Sequence, residues 1–173
     1  MKSMKKILTN GLIFLSLSFG LTISAVAIEP LDQETIEAIR LAQIAAENGD
    51  VNAQVNLGVL YYGGDYVRQD FAKALRYSQK AAEQGNAIAQ TNMAMMYSGG
   101  KGVTQNHAQA FKWMKKAAEQ DYAPSQGILG AFYEHGKGVR QNKAKAKEWY
   151  GKACDNGVQI GCADYKRLNE QGY

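Results

Sequence analysis

Ser98 and Lys101 have the spacing of a Ser-x-x-Lys motif, a pattern that can turn a serine hydroxyl into a nucleophile. Penicillin-reactive serines use this motif because the nearby lysine helps to remove the hydroxyl proton. In those enzymes the motif opens a helix, whereas here the two intervening residues are glycines and predict a loop. The Ser-Asp-Asn and Lys-Thr-Gly motifs that accompany it are missing. A chance match is the better interpretation, and we predict no catalytic residue.

Metal and phosphate chemistry have no better support in the sequence. The two histidines, His107 and His135, lie in neither a His-x-x-x-His nor a His-Glu pattern, so they predict no metal site. The stretch from Gly130 to Lys137 superficially resembles a phosphate-binding loop, but its spacing is one residue too long. Gly138 also stands where a serine or threonine must bind the metal. We therefore predict no cofactor and interpret these glycines as a turn.

The feature that organises the chain is a repeat of 36 residues. Three copies occupy residues 51–86, 87–122 and 123–158, and each contains an apolar run with a tyrosine, a glycine turn, Val-x-Gln and a closing alanine-rich stretch. A fixed period of this size predicts stacked helix pairs, each of which buries its apolar face only against its neighbours. The fold class is therefore predicted to be all-α.

Each unit is expected to form two antiparallel helices. The first helix ends at a glycine, Gly64 in the first unit, because glycine accepts the positive φ of a helix end. The second helix begins after a residue whose side-chain oxygen can cap it, namely Asp70, Asn106 or Asn142. Gly58 lies on the apolar side of the first helix, so we expect a partner helix to approach it closely.

One aromatic residue per unit, Tyr77, Trp113 or Trp149, is expected to point inward from the second helix. A fully buried aromatic side chain removes about 150–250 Å² from water. A stacked column of such rings could form a ligand box, but the spacing is that of core packing.

Half a unit flanks the three repeats on each side. Residues 28–50 contain the ending of a second helix and are predicted to form an N-terminal capping helix. Residues 159–173 are predicted to form a C-terminal capping helix and a tail. Terminal repeats that lack a neighbour are expected to be atypical.

Residues 1–27 have the organisation of a cleavable signal peptide. A basic start is followed by an apolar run from about residue 11 to 23 and by small residues up to Ala27, where we predict the cut. The alternative is a membrane anchor, but the run is shorter than the roughly 18–20 residues that cross a bilayer. We therefore expect a periplasmic or secreted protein that is not inserted in the membrane.

Removal of this segment changes the charge argument. The chain has 20 basic and 16 acidic residues and a net charge of +4. Three of the basic residues and none of the acidic ones lie in residues 1–27, which leaves 17 against 16, or +1. A net charge this small gives no support for nucleic acid or acidic lipid as a partner.

The repeated residues resemble the Sel1-like repeat family, relatives of the tetratricopeptide repeat. The motifs are Leu-Gly-x-x-Tyr, then Gly-x-Gly-Val-x-Gln, then Ala-x-x-Trp-x-x-x-Ala-Ala-x-x-Gly, over about residues 39–168. Tyr66 in place of a loop glycine and Tyr77 in place of the tryptophan are mild departures. The resemblance implies a right-handed α-solenoid of three full repeats with capping helices, acting as an adaptor or inhibitor surface. Exported bacterial members serve in envelope signalling, polysaccharide export and neutralisation of toxic effectors.

Cys154 and Cys162 occupy the positions that Ala118 and Gln126 hold one repeat earlier, facing each other across a short turn. In an oxidising compartment such a pair should form a disulfide. A metal site is the alternative, but no histidine or third cysteine is near enough to complete four ligands. The spacing also resembles that of the Helicobacter cysteine-rich proteins, some of which bind or slowly hydrolyse β-lactams. There every repeat carries a pair, so the resemblance to them is partial.

The first helix of each unit is expected to line the concave side and to bind a protein partner. In related helical arrays its second, fifth, ninth and twelfth positions point into the groove. These positions hold Asn52, Val55, Val59 and Tyr62, then Ile88, Thr91, Met95 and Ser98, then Pro124, Gly127, Ala131 and Glu134. The predicted strip is moderately apolar, with Glu134 as its main charge, and such surfaces mark interaction sites. The alternative is that its apolar members are merely scattered over the surface.

These observations favour an exported protein-binding adaptor or regulator. An immunity protein that neutralises a secreted toxin is the second hypothesis and shares the same physical mechanism. A hydrolase acting on β-lactams or cell-wall peptides is the third, and the sequence supports it least.

Overall fold

The computed structural model describes residues 31–173, so the predicted signal peptide lies outside the described residues. In this part the chain forms eight helices and no strand. They are α1 (Gln33–Glu47), α2 (Val51–Gly63), α3 (Phe71–Glu83), α4 (Ala87–Gly99), α5 (His107–Ala118), α6 (Ala123–His135), α7 (Lys143–Asp155) and α8 (Gln159–Glu170). None of them is long and apolar enough to cross a bilayer. The predicted all-α fold class is confirmed.

Side-chain caps start most of these helices. The capping oxygens belong to Asp32, Asp50, Asp70, Asn86, Asn106 and Asn142. Each accepts a hydrogen bond from the backbone N–H three residues further on, which satisfies a donor that the helix leaves free. Helices α2, α4 and α6 end at left-handed glycines, as the sequence predicts.

Consecutive helices pack against one another along the chain, and α2 also contacts α4. Two glycines show why the pairs can approach so closely. A Cβ atom at Gly58 would lie 2.6 Å from Ser78 Oγ, and one at Gly130 would lie 2.7 Å from the ring of Tyr150. The close approach predicted at Gly58 is therefore confirmed. The result is an α-solenoid whose core runs between successive helices.

The aromatic column is buried less uniformly than predicted. Tyr77 is buried, whereas Trp113 and Trp149 are only half-buried. The ammonium groups of Lys116 and Lys152 lie 4.5 Å and 4.3 Å from the centroids of these two tryptophan rings. The long lysine side chains thus cover the outer faces of rings that the core does not enclose.

Candidate functional site

The first helices α2, α4 and α6 carry the predicted partner-binding residues, and the structure places these residues in three different environments. Exposed to solvent are Asn52, Val59, Tyr62, Ile88 and Met95, together with Pro124. Half-buried are Thr91, Ser98, Gly127 and Ala131, whereas Val55 and Glu134 are buried. We call Asn52, Val59, Tyr62, Ile88 and Met95 the first-helix strip.

Val55 is part of the core and not of the accessible surface. It packs in a cluster with Ala81, Ala82, Ala89 and Met93, which belong to the neighbouring helices α3 and α4. The fifth position of this helix therefore stabilises the contact between repeats and has almost no surface to offer a partner.

Glu134 is likewise buried, which corrects its interpretation as the main charge of the exposed strip. Its carboxylate accepts two hydrogen bonds from the guanidinium of Arg167, at 2.8 and 2.9 Å, and one from the Tyr150 hydroxyl at 2.8 Å. Asp164 Oδ1 accepts a further bond from Arg167 at 2.8 Å. These contacts join α6, α7 and α8.

The protonation states in this cluster follow from the contacts. The hydrogen bonds from Arg167 hold the pKa of the Glu134 carboxyl below its ordinary value, although burial acts in the opposite direction. Burial, helped by the bond to Glu134, raises the pKa of the Tyr150 hydroxyl well above its ordinary value. At neutral pH the cluster is therefore a charged pair with a neutral tyrosine, which suits it to hold α8 in place.

The same cluster shows how neighbouring first helices meet. Arg167 and Glu134 stand at the ninth and twelfth positions of consecutive first-helix segments, since α8 continues the repeat. Two repeats earlier, these positions hold Met95 and Tyr62. Met95 of α4 and Tyr62 of α2 are therefore the counterparts of this contacting pair, and α2 and α4 are in contact.

The strip is also uncharged. Helices α2 and α4 contain no Asp, Glu, Lys or Arg, whereas the second helices α3 and α5 carry several lysines each. The ring of Tyr62 packs edge-on against Phe71, with centroids 5.4 Å apart, so its position is held by the fold. An apolar surface of rigid side chains without charge is inexpensive to desolvate, as partner binding requires.

The structure also contains a row of buried glutamines that sequence reasoning missed. The Nε2 groups of Gln54 and Gln90 donate to the carbonyl oxygens of Ala46 and Ala82, at 2.9 and 3.2 Å. Each bond ties a first helix to the preceding second helix, and Gln126 repeats the contact. A polar residue that recurs every 36 residues among apolar ones was the signal that could have revealed it.

Potential metal ligands do not cluster among residues 31–173. No group of three potential metal-ligating side chains is present there. Lys101 of the Ser-x-x-Lys match has its ammonium 5.2 Å from the centroid of the Phe71 ring.

Cys154 and Cys162 form a disulfide, as predicted, with Cα atoms 4.5 Å apart. The bond occupies the place that the glutamine–carbonyl hydrogen bond holds in the earlier repeats. The disulfide therefore links α8 to α7, as the hydrogen bond links the corresponding helices of the earlier repeats.

Replacing both cysteines by alanine should lower the free energy of unfolding by about 2–3 kcal/mol, because the closed loop restricts the unfolded chain. The informative comparison is Cys154→Ala with Cys162→Gln, which restores the residue pair of the preceding repeats. This variant should recover about 1 kcal/mol through its hydrogen bond. Urea unfolding of the unmodified protein and the two variants measures both effects. Equal stability of the two variants would contradict the predicted contribution of the hydrogen bond.

Comparisons with known proteins agree with this architecture. A sequence model of the Sel1 repeat matches residues 29–50, 51–86, 87–122 and 123–158. The first match is partial and covers the region in which a capping helix is predicted. Among curated proteins, no sequence matches this chain.

Three solved structures are similar. One is c5321, a protective antigen of uropathogenic Escherichia coli strains with an SLR fold: identity is 36%, the TM-score is 0.77, and the match covers 80% of this chain but only 30% of that one. A Sel1 repeat protein from Oxalobacter formigenes is 35% identical, with a TM-score of 0.67, over 78% of this chain and 98% of that one. Helicobacter pylori cysteine rich protein B shares the fold at 24% identity, with a TM-score of 0.60, over 75% and 93% of the two chains. The chain belongs to the Sel1 repeat family.

Proposed function

We propose that this chain is an exported protein-interaction module, an adaptor or regulator, that binds a protein partner through the first-helix strip. The observation that carries the proposal is the exposure of large apolar side chains on uncharged helices. Val59 is 53% exposed, Met95 48% and Tyr62 39%. Burial of such side chains by a partner is favourable at about 25 cal/mol per Å².

The arrangement of these side chains supports a single binding surface. Met95 and Tyr62 stand at helical positions that touch each other in the last repeat, as described for Arg167 and Glu134. In the last repeat, the Arg167–Glu134 ion pair places charged groups at the end of this row of positions. The apolar part of the row therefore lies over α2 and α4. Interfaces are typically built in this way, with an apolar centre and a polar rim.

Export is supported by two separate features. Residues 1–27 have the organisation of a signal peptide, and the Cys154–Cys162 disulfide is typical of oxidising compartments. The proposed location is therefore the periplasm or the medium.

The test compares crosslinking at two sites of equal exposure. A photoreactive amino acid replaces Met95 in the strip or Ile44 on α1, which are 48% and 50% exposed. Crosslinking in cells followed by mass spectrometry should yield a specific partner from position 95 only. Its identity then distinguishes an adaptor from an immunity protein.

The charge variant Met95→Glu should weaken capture of that partner at least about tenfold, because a carboxylate would be buried in an apolar contact. Ile44→Glu is the matched control and should bind like the unmodified protein. Equal crosslinking from both sites, or equal loss in both variants, would refute the assignment of the strip.

A further inference from the structure

One edge of this solenoid carries a cluster of basic side chains. Because consecutive helices are antiparallel, the loops from first to second helices share one edge and the turns from second to first helices share the other. We call residues 63–71, 99–107 and 135–145 the loop edge. They comprise the three loops and, in the last repeat, the first turns of α7.

Direct contacts show that the loops of successive repeats adjoin one another. Gly102 lies against the backbone of Phe71 at the start of α3, and Gly138 lies against the backbone of His107 at the start of α5. The Lys143 ammonium is 4.7 Å from the centroid of the ring of Tyr173, which follows α8. The loop edge is therefore one continuous surface.

In its second and third repeats this surface is strongly basic. The sequence contains no Asp or Glu from residue 100 to 118 or from residue 135 to 147. Its cations are Lys101, Lys137, Arg140, Lys143 and Lys145. The opposite edge carries both signs of charge: Asp50, Glu119 and Asp121 lie in its turns, and the last turns of the second helices beside them contain Lys80, Lys115, Lys116 and Lys152.

The five cations are not used by the fold as ion-pair partners. Within residues 31–173 none of them forms a salt bridge. Lys143 and Lys145 even lie in the first turn of α7, where the helix dipole disfavours positive charge. The ammonium groups of Lys101, Lys143 and Lys145 contact the rings of Phe71, Tyr173 and Tyr133 at 5.2, 4.7 and 5.6 Å from the ring centroids, but no carboxylate neutralises their charge.

Two exposed tyrosines lie on the loop edge or against it. Tyr66 in the first loop is 57% exposed and Tyr173 is 43% exposed. Tyrosine together with lysine and arginine is the combination that proteins place at the level of lipid headgroups, where one end of the ring is apolar and the other is wet.

We propose that the loop edge binds an anionic phospholipid surface, so that the solenoid is held peripherally on a membrane. The concentration of positive charge at this edge would orient the molecule on the membrane. The first-helix strip lies between the two edges and stays free for a partner. The inference does not depend on the proposed function, since a different surface carries it.

Vesicle sedimentation tests the proposal with the full chain. Vesicles contain either phosphatidylcholine alone or phosphatidylcholine mixed with phosphatidylglycerol. We expect binding that requires phosphatidylglycerol and falls as the salt concentration rises. Binding that ignores both the lipid charge and the salt would overturn the proposal.

Two triple variants with equal net charge locate the surface. The edge variant carries Lys101→Gln, Lys137→Gln and Arg140→Gln, and the control carries Lys115→Gln, Lys152→Gln and Lys166→Gln. All six residues are exposed. The edge variant should lose about a hundredfold in partitioning, since each basic residue near the surface contributes about a factor of five. The control variant should lose much less of its partitioning. Any contribution of residues 1–27 is common to the unmodified protein and both triple variants.

Equal losses in both triple variants would show that net charge alone acts and would overturn the proposal. Displacement of the protein from the vesicles by a low concentration of labelled oligoglutamate that binds the loop edge would also overturn the proposal. The preferred partner of the edge would then be an acidic polypeptide. Circular dichroism melting of each variant confirms that the helices remain folded.

Discussion

Gly138→Ala should lower the free energy of unfolding by about 4 kcal/mol, the largest effect that we expect from a single methyl group in this chain. Gly138 has a φ of +69°, so an alanine would first incur the cost of a left-handed residue, about 1–2 kcal/mol. Its Cβ would also overlap the carbonyl oxygen of His107 and lie 2.8 Å from the backbone nitrogen of Ala108. Backbone atoms cannot rotate away, so the loop must separate from α5.

Gly157→Ala is the matched control for this experiment. Gly157 has a similar positive φ of +85°, but no heavy atom lies within 4 Å of its would-be Cβ. It should therefore cost only the backbone term of about 1–2 kcal/mol. The difference between the two variants in urea unfolding gives the free-energy cost of the lost loop contact. An equal decrease in the free energy of unfolding would show that this contact contributes nothing.

Arg167→Leu should destabilise the chain by about 3 kcal/mol at neutral pH. The variant leaves the Glu134 carboxylate buried without its cation, and breaking such a pair from one side is costly. The estimate is placed at the low end of the usual range because the Arg167 side chain is 41% exposed and water screens part of the interaction. Chemical unfolding followed by circular dichroism measures the loss.

The pH dependence of this variant has a definite sign. In the unmodified chain the pKa of Glu134 is lowered, so its contribution to stability is complete above the unfolded value of about 4.3 and is lost as the pH falls through the folded value. Without Arg167, burial raises that pKa, and protonation relieves the buried charge. The stability difference between the two proteins should therefore shrink as the pH is lowered from 7 to about 3.

A second variant separates the ion pair from simple packing. Glu134→Leu combined with Arg167→Leu removes both charges and should be more stable than Arg167→Leu alone, because no unpaired carboxylate remains. Equal stability of the single and double variants at neutral pH would mean that the carboxylate is solvated and that the cluster does not hold α8.

Much of the fold could be predicted from the sequence because the same local signals recur in each repeat. Gly64, Gly100 and Gly136 mark three helix ends, and Asp70, Asn106 and Asn142 mark three helix starts. These are short-range effects of backbone conformation and capping, which the residue itself determines. The disulfide was predictable for a related reason, since the repeat register places Cys154 opposite Cys162.

The candidate site could be predicted only in part. The register identified Val59, Tyr62 and Met95 as surface residues, and all three are exposed. It failed for Val55 and Glu134, because helical position alone does not say how far a neighbouring helix reaches over a side chain. The first is covered by core residues from α3 and α4, and the second by Tyr150 and Arg167 from α7 and α8.

The sequence by itself therefore determined the helices, their ends, their pairing and the cysteine bridge, all of which depend on contacts between residues close in the chain or equivalent in the repeat. Tertiary structure alone decided which strip residues remain accessible and where the charges gather. A net charge of +1 outside residues 1–27 hides a basic loop edge, because a sum over residues contains no positions. Electrostatic attraction depends on the distance between charges, so only the folded arrangement determines where a charged surface forms.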